Sequence, residues 1–172
     1  IEARLHLPAQ TTPFIGRERE IAELSGLLQD SGVRLVTILG PGGMGKTRLA
    51  IETASRQLMQ FPGGIFFISL TPLNTGDGLA SAIIQQMGIP IDLENDSAIA
   101  QMARYFGDQS LLLVLDNFEH LLSEAVLITE LLKALPGTKI VITSRERANL
   151  AGETVYPLDG LALPDVNQPD DF

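Results

Sequence analysis

The chain has 172 residues, of which 45% are hydrophobic, and it carries a formal net charge of −9 and no Cys. This length and hydrophobic content suffice for one compact core. The acidic balance argues against direct binding of nucleic acid by this chain, because affinity for DNA or RNA rests on clustered Lys and Arg. Apolar runs such as 111–115 are too short to span a bilayer, so we expect no membrane contact. The absence of Cys agrees with a cytoplasmic location.

Predicted helices and strands alternate along the chain. Residues 1–13 contain two prolines and no hydrophobic period, so we expect an extended N-terminal arm. Helical spacing of apolar residues predicts helices at 18–29, 47–60, 78–88, 97–106 and 121–135. Apolar runs predict strands at 33–39, 65–70, 111–115, 140–142 and 154–158. This alternation is typical of βαβ units and predicts an α/β fold, with a five-stranded parallel sheet flanked by helices.

A glycine-rich segment, Gly40 to Thr47, directly follows the first predicted strand. Such a turn can aim several backbone N–H groups at phosphate oxygens at the start of a helix. The residues expected to cradle the phosphates are Gly40, Gly42, Gly43, Met44, Gly45, Lys46, Thr47 and Arg48. In this pattern Lys46 reaches the β- and γ-phosphates, and the Thr47 hydroxyl ligates Mg²⁺. The segment therefore predicts binding of a nucleotide together with Mg²⁺.

Two other strands end in polar residues that suit the same site. Because ligands of open α/β sheets bind at the carboxyl ends of the strands, we expect these residues near the phosphates. Asp116 follows the apolar run 111–115 and is a candidate to hold Mg²⁺ opposite Thr47. Arg145 follows the strand at 140–142 and is a candidate to read the γ-phosphate, since a guanidinium makes bidentate contacts to phosphate oxygens.

Residues 117 and 119 bear on whether the bound nucleotide is hydrolysed. A carboxylate that orients the attacking water commonly follows the Mg²⁺ aspartate directly, and this chain has Asn117 there, which cannot accept a proton. Glu119, two residues further on, is the candidate to replace that base. We therefore expect slow or conditional hydrolysis of ATP.

Four motifs stand in one order along the chain, at 14–18, 40–47, 111–117 and 142–145. They read Phe14-Ile15-Gly16-Arg17-Glu18, Gly40 to Thr47, Leu111 to Asn117 and Ile142-Thr143-Ser144-Arg145. With these motifs the chain resembles, over roughly residues 8–163, the nucleotide-binding domain of NB-ARC/STAND ATPases. These are three-layer P-loop NTPases related to AAA+ proteins, and the bacterial branch is found in multidomain transcriptional regulators.

The resemblance implies roles that the residues alone do not. It implies that Phe14, Ile15 and Arg17 line the adenine and ribose side, and that Arg145 is the first sensor of the γ-phosphate. It also implies a closed resting state with ADP, which exchange for ATP opens into a homo-oligomer. Winged-helix and sensor-repeat domains of a longer parent chain are the implied partners. Asn117 departs from the second acid of many relatives, which bears on hydrolysis.

Three other functions remain open from the sequence. One is an AAA+-type ATPase such as a loader, in which a neighbour supplies an arginine finger; the possible sources are Arg56, Arg104 and Arg147. Another is a small-molecule kinase, and the third is a scaffold that keeps nucleotide without hydrolysis. For the domains, we expect an arm at 1–13, a nucleotide-binding domain at 14–163 and a tail or linker at 164–172.

Overall fold

The computed structural model describes residues 5–73, 78–90, 92, 94 and 96–159. The first four residues of the predicted arm, the end of the predicted domain up to 163 and the predicted tail at 164–172 lie outside the described residues. The chain forms a parallel sheet with helices on both faces. None of the helices in the described part of the chain is long and apolar enough to cross a membrane.

The helices and strands follow the predicted order closely. The strands are β1 Leu5–His6, β2 Leu35–Leu39, β3 Gly64–Ser69, β4 Leu111–Asp116, β5 Thr138–Ser144 and β6 Glu153–Pro157. The α-helices are α1 Glu18–Gln29, α2 Lys46–Ser55, α3 Leu79–Met87, α4 Ala98–Phe106 and α5 Ala125–Ala134. Short 3₁₀ helices occupy Leu58–Gln60 and Phe118–Glu124.

The sheet has six strands, so the prediction of five strands is wrong by one. Its order is β1-β3-β4-β5-β2-β6, and all neighbouring strands are parallel. The additional strand is β1, in which Leu5 lies opposite Ile65 and His6 opposite Phe66. The His6 ring also stacks on the Phe66 ring, with centroids 5.0 Å apart. This short strand covers part of the otherwise unpaired edge of β3, and two residues are too few to show a period in the sequence.

Strand β4 is buried on both faces, which explains its uninterrupted apolar sequence. Leu111, Leu113 and Leu115 belong to a hydrophobic cluster that includes residues of α3, α4 and α5. Leu112 and Val114 belong to a second cluster, with residues of α1 and α2. Successive side chains of a strand point to opposite faces, so β4 joins both cores in a three-layer arrangement.

Two predicted helices differ from the structure at their ends. The helix predicted for 47–60 ends at Ser55, and a separate 3₁₀ turn follows at Leu58–Gln60. The helix predicted for 121–135 begins only at Ala125, because the preceding 3₁₀ segment contains a kink at Leu121, with φ −119° and ψ 23°. The sequence offers Asp96 or Ser97 as the cap of α4, and the structure has Ser97, whose Oγ accepts a 3.2 Å hydrogen bond from the N–H of Ala100.

Candidate functional site

Three neighbouring strands bring the predicted phosphate and metal residues together. Strands β4, β5 and β2 are adjacent in the sheet, and their carboxyl ends point the same way because the strands are parallel. The register places Leu39 opposite Ser144. The N–H of Gly40 donates a 3.2 Å hydrogen bond to the carbonyl of Ser144. The glycine-rich loop after β2 is therefore fixed to the segment that carries Arg145.

The glycines of the loop meet two separate requirements. Gly43 and Gly45 have φ values of 78° and 81°, in the left-handed region that favours glycine. Gly42 provides space, because a Cβ there would lie 2.6 Å from Nη2 of Arg145. The Gly45 carbonyl accepts a 3.0 Å hydrogen bond from the N–H of Leu49, so α2 begins at once after the loop. A loop of this shape leads directly into the N-terminus of a helix.

The Lys46 side chain folds back over the loop. Only 7% of the residue is exposed, and Nζ donates hydrogen bonds to the carbonyls of Gly40 at 2.7 Å and Pro41 at 2.8 Å. Burial lowers the pKa of Lys46 below its usual value, Glu119 acts in the opposite direction, and Arg145 lowers the pKa further. The ammonium thus lies on the concave side of the loop. A bound anion there would compensate for the free-energy cost of burying its charge.

Asp116 is the centre of a hydroxyl network. Its Oδ1 accepts a 2.7 Å hydrogen bond from Thr47 Oγ1 and a 2.6 Å hydrogen bond from Thr143 Oγ1. Asp116 is only 5% exposed, and Thr143 is fully buried. Thr143 was not among the predicted site residues, although its place at the end of β5, beside the end of β4, is a signal in the sequence. The network fixes the carboxylate beside the first turn of α2.

Asn117 faces the same network as a hydrogen-bond donor. Its backbone N–H donates to Thr143 Oγ1 at 3.0 Å, and its Nδ2 donates to Thr71 Oγ1 at 2.8 Å and to Asp116 Oδ2 at 3.3 Å. Its backbone is left-handed, with φ 62°, which Asn tolerates better than most residues. The amide therefore ties the end of β4 to the segment after β3, and it supplies no proton acceptor like a carboxylate.

Glu119 and Arg145 form an ion pair at the mouth of the loop, with Arg145 Nε 3.7 Å from Glu119 Oε1. The Glu119 side chain is 15% exposed, whereas the Arg145 side chain is 64% exposed. Glu119 Oε2 is buried and has no hydrogen-bond partner within the described residues. A buried carboxylate oxygen without a partner costs free energy. Glu119 therefore presents an acceptor that a water molecule or ligand donor could satisfy.

A cavity of about 530 Å³ lies over these residues. Of the predicted phosphate-binding residues, all from Gly42 to Arg48 line it, and so do Glu119 and Arg145. Its lining does not include Gly40, Asp116 or the three residues expected on the adenine side. Pro8, Gln10, Ile51, Phe67 and Asn117 complete the lining, and the sequence had not marked the first four of these as site residues.

The three residues expected on the adenine side have different surroundings. Ile15 is 84% exposed. The Phe14 ring has the Arg48 guanidinium carbon 5.4 Å from its centroid. The Arg17 side chain is 8% exposed, and it donates to the carbonyls of Met44 at 3.1 Å and Asp159 at 3.3 Å. Arg17 thus connects the glycine loop to the residues after β6, whereas Ile15 makes no comparable contact.

A glycine loop between a strand and a helix, with a Lys and a Thr at the helix start and an Asp at the end of a nearby strand, defines the P-loop NTPase class. The family model of the AAA domain matches residues 29–145, which span the loop, the β4 aspartate and Arg145. The chain belongs to this AAA-domain family.

Several curated relatives are longer proteins with the names of regulators. A Mycobacterium tuberculosis protein named as an HTH-type transcriptional regulator is 39% identical over 133 residues, which are 77% of this chain and 15% of the relative. Regulatory protein AfsR of Streptomyces coelicolor is 28% identical over 174 residues, with 91% of this chain and 17% of AfsR covered. The chain therefore spans about a sixth of the length of these relatives.

Solved structures share the fold. Cdc6p from Pyrobaculum aerophilum matches with a TM-score of 0.64 at 18% identity, covering 88% of this chain and 48% of that protein. A signal transduction ATPase with numerous domains (STAND) with a tetratricopeptide repeat sensor, from Pyrococcus horikoshii, matches with a TM-score of 0.55 at 18% identity, covering 90% of this chain and 24% of that protein. At these identities the likeness concerns the fold.

Proposed function

We propose that the chain is the ATP/ADP-binding regulatory domain of a STAND-type signal-transduction ATPase, within a larger transcriptional regulator. The observation that carries the proposal is the 2.7 Å hydrogen bond between Thr47 Oγ1 and Asp116 Oδ1, directly beside the buried Lys46 ammonium. Binding of a Mg²⁺-nucleotide requires two oxygen ligands for the metal ion and a cation for the phosphates, all beside a glycine loop. No other described group of residues combines them.

The donor set fits Mg²⁺ and a phosphate chain. Mg²⁺ prefers oxygen ligands and keeps several waters, so the Thr47 hydroxyl and the Asp116 carboxylate would hold it. When bound, Mg²⁺ neutralises charge on the β- and γ-phosphates. Lys46 Nζ, which now donates to two loop carbonyls, would exchange these for phosphate oxygens. The desolvated ammonium gains from this exchange, because the nearby negative charge favours its protonated form.

Arg145 and Glu119 are the proposed γ-phosphate sensor and water-orienting base. Arg145 is exposed and lies against Gly42, so its guanidinium can turn to a phosphate with the loss of only a 3.7 Å ion pair. Glu119 Oε2 has no donor in the described part of the chain, so it can accept from an attacking water. Since Arg145 pairs with Glu119 at 3.7 Å, the base is released when the sensor moves to phosphate. We expect slow, conditional hydrolysis.

The adenine and ribose of the nucleotide are proposed to lie against Phe14, Ile15 and Arg17. Arg17 contacts the carbonyls of Met44 and Asp159, so it borders the loop on the β6 side. Ile15 is exposed and can cover an apolar base without prior rearrangement. The domain unit is proposed to be 14–163, with residues 1–13 as an arm and 164–172 as a tail or linker.

The regulatory part of the proposal rests on the relatives. The Mycobacterium tuberculosis and Streptomyces coelicolor relatives described above are regulators by name, and this chain covers about a sixth of their length. The Pyrococcus STAND protein carries a repeat sensor. We propose that ADP holds a resting state, that ATP opens it into a homo-oligomer, and that winged-helix and sensor-repeat domains of a parent chain transmit the change. Binding of nucleic acid is proposed to fall to other domains.

Calorimetric titration of ADP and of Mg²⁺-ATP tests the proposal. We expect binding of both by the parent chain and none by Lys46→Ala, because Lys46 Nζ lies at the loop carbonyls of Gly40 and Pro41, where it can reach the phosphates. Lys133→Ala is the matched control, since that lysine is exposed on α5 away from the loop. Equal binding by Lys46→Ala and the parent would contradict the assignment of the loop. Binding of both nucleotides with identical conformational response would favour the scaffold over the switch.

A further inference from the structure

Residues 7–17, here called the lead-in segment, cross the site from one side of the sheet to the other. The segment leaves β1, which lies beside β3 at one edge of the sheet. It ends at Arg17, which donates to the carbonyl of Asp159, just beyond β6 at the opposite edge. Between these points Pro8 and Gln10 line the cavity over the glycine loop. The segment thus borders the site along its whole width.

Arg48, in the first turn of α2, holds the middle of the lead-in segment. Its Nη1 donates a 3.0 Å hydrogen bond to Thr12 Oγ1, and its Nη2 donates to the carbonyl of Thr12. The guanidinium carbon also lies 5.4 Å from the centroid of the Phe14 ring, within cation–π range. Three contacts therefore link this one side chain to two residues of the segment.

Arg48 lines the cavity over the loop, and its guanidinium is held by Glu52 as well as by Thr12. Its Nε donates to Glu52 Oε1 at 3.1 Å, one helical turn further along α2. Nε, Nη1 and Nη2 are thus all used by Glu52 and Thr12. The side chains of Arg48 and Glu52 are only 22% and 21% exposed, so water screens the pair less than it would screen an exposed pair. The sequence placed Arg48 among the nucleotide contacts; the residue lines the cavity, and its guanidinium contacts Thr12, Phe14 and Glu52.

The far end of the lead-in segment shows why its position matters. Arg17 has left-handed backbone angles, with φ 61°, which costs free energy in a residue other than Gly. In this conformation its Nη2 reaches the carbonyl of Met44, in the glycine loop. Only Ile15 and Gly16 separate Phe14, which contacts Arg48, from Arg17. Release of Phe14 and Thr12 would therefore loosen the support of Arg17 against the loop.

We infer that Arg48 is a positioning residue that holds the lead-in segment against α2, so that the segment binds the nucleoside part of the ligand. The phosphates are bound by the loop itself, whose Gly43 and Gly45 conformations and Lys46 contacts do not involve the Arg48 side chain. The inference rests on the proposed nucleotide function. Its consequence is that loss of Arg48 weakens binding of the nucleoside part and leaves binding of the phosphates unchanged.

The test compares two ligands on one set of variants. Calorimetry measures binding of Mg²⁺-ADP and of Mg²⁺-pyrophosphate, which lacks the nucleoside, to the parent chain, Arg48→Ala, Arg48→Lys and Thr12→Val. For Arg48→Ala we expect affinity for ADP to fall about tenfold, with affinity for pyrophosphate unchanged within about twofold. Arg48→Lys should recover part of the ADP affinity, because an ammonium can donate to Thr12 and contact the ring. Arg104→Ala is the matched control, since Arg104 pairs with Asp96 on the other face of the sheet.

The outcomes separate this inference from the proposed function. If Arg48→Ala loses affinity for both ligands equally, or for neither, the positioning role is overturned. Binding of both ligands by the parent chain in that case still supports the nucleotide site. Failure of the parent to bind either ligand contradicts the proposed function itself. If Arg48→Ala does not fold, Thr12→Val decides, because it removes the hydrogen bond to Arg48 Nη1 at a residue to which no nucleotide contact is assigned. A selective loss of ADP then supports the role, and unchanged binding of both ligands overturns it.

Discussion

Thr47 and Thr143 lie on different elements, yet both donate to the same oxygen of Asp116, at 2.7 and 2.6 Å. Thr47 begins α2, and Thr143 lies near the end of β5. A hydrogen bond to a charged group contributes about 1.5–3 kcal/mol. The two hydroxyls therefore fix the orientation of Asp116 at the first turn of the helix.

Replacement of Thr143 tests this arrangement. We expect Thr143→Val to weaken Mg²⁺-dependent binding of ADP by about tenfold, equivalent to about 1.4 kcal/mol, because Asp116 loses the donor that orients it. Calorimetry with Mg²⁺ and with chelator measures the change. Thr138→Val is a matched control in the same strand, since the Thr138 hydroxyl is buried without a hydrogen-bond partner in the described residues. Equal effects of the two substitutions would contradict a specific role for Thr143.

Replacement of Asp116 itself should remove the dependence on Mg²⁺. Asp116→Asn keeps the size of the side chain but removes the charge that attracts the cation. We expect the affinity for ADP in the variant to be the same with and without Mg²⁺, whereas that of the parent rises with Mg²⁺. A Mg²⁺ titration followed by calorimetry measures this. Retention of the full Mg²⁺ effect would show that Asp116 does not hold the ion.

Replacement of Arg145 should distinguish ATP from ADP. Its guanidinium is 64% exposed and lies at Gly42, at the mouth of the loop, so we propose that it meets only the γ-phosphate. We expect Arg145→Ala to weaken the binding of ATP by about tenfold and the binding of ADP by less than about twofold. Parallel titrations of the two nucleotides check the ratio, with Arg104→Ala as the remote arginine control. A similar loss for both nucleotides would exclude the sensor role.

Tyr156 and Glu23 give a prediction about stability and pH. The Tyr156 hydroxyl donates a 2.5 Å hydrogen bond to Glu23 Oε2, linking β6 to α1. This bond, together with Arg19, lowers the pKa of Glu23 below its usual value. A carboxylate with a lowered pKa in the folded state stabilises the fold above its unfolded pKa. That contribution is lost as the pH falls through the folded pKa.

Tyr156→Phe should therefore lower the free energy of unfolding at neutral pH, with a smaller difference from the parent in acid. Urea unfolding at about pH 7 and about pH 3 measures both differences. The effect is expected to be small, because the Glu23 side chain is 43% exposed. In a Glu23→Gln background the effect of Tyr156→Phe should no longer change with pH. A persistent pH dependence there would assign the effect to another group.

The sequence predicted the elements whose signal is local and repeated. The apolar run 111–115 predicted a strand buried on both faces, and its residues alternate between the two hydrophobic clusters. The glycine pattern at 40–45 predicted the loop, because only glycine readily adopts positive φ at positions such as Gly43 and Gly45. Periodicity also predicted the order of the five helices.

Other features depend on neighbours that are distant in the chain. The two residues of β1 form a strand only because the edge of β3 is available beside them. The kink at Leu121 interrupts a helical pattern of apolar residues that the sequence leaves continuous. Secondary-structure propensity and hydrophobic periodicity depend on one segment alone. Neither can therefore predict pairing with a strand about 60 residues away.

By itself, the sequence determined the parallel α/β fold, the glycine loop and the polar residues at the ends of the strands, because backbone conformation and burial leave a local record in residue type. Only the tertiary structure decided that Thr143 completes the setting of Asp116 and that Arg48 contacts Thr12 and Phe14. Each of these contacts joins residues at least 27 positions apart. Such pairs depend on how the strands and helices pack against one another, which no local pattern of residues records.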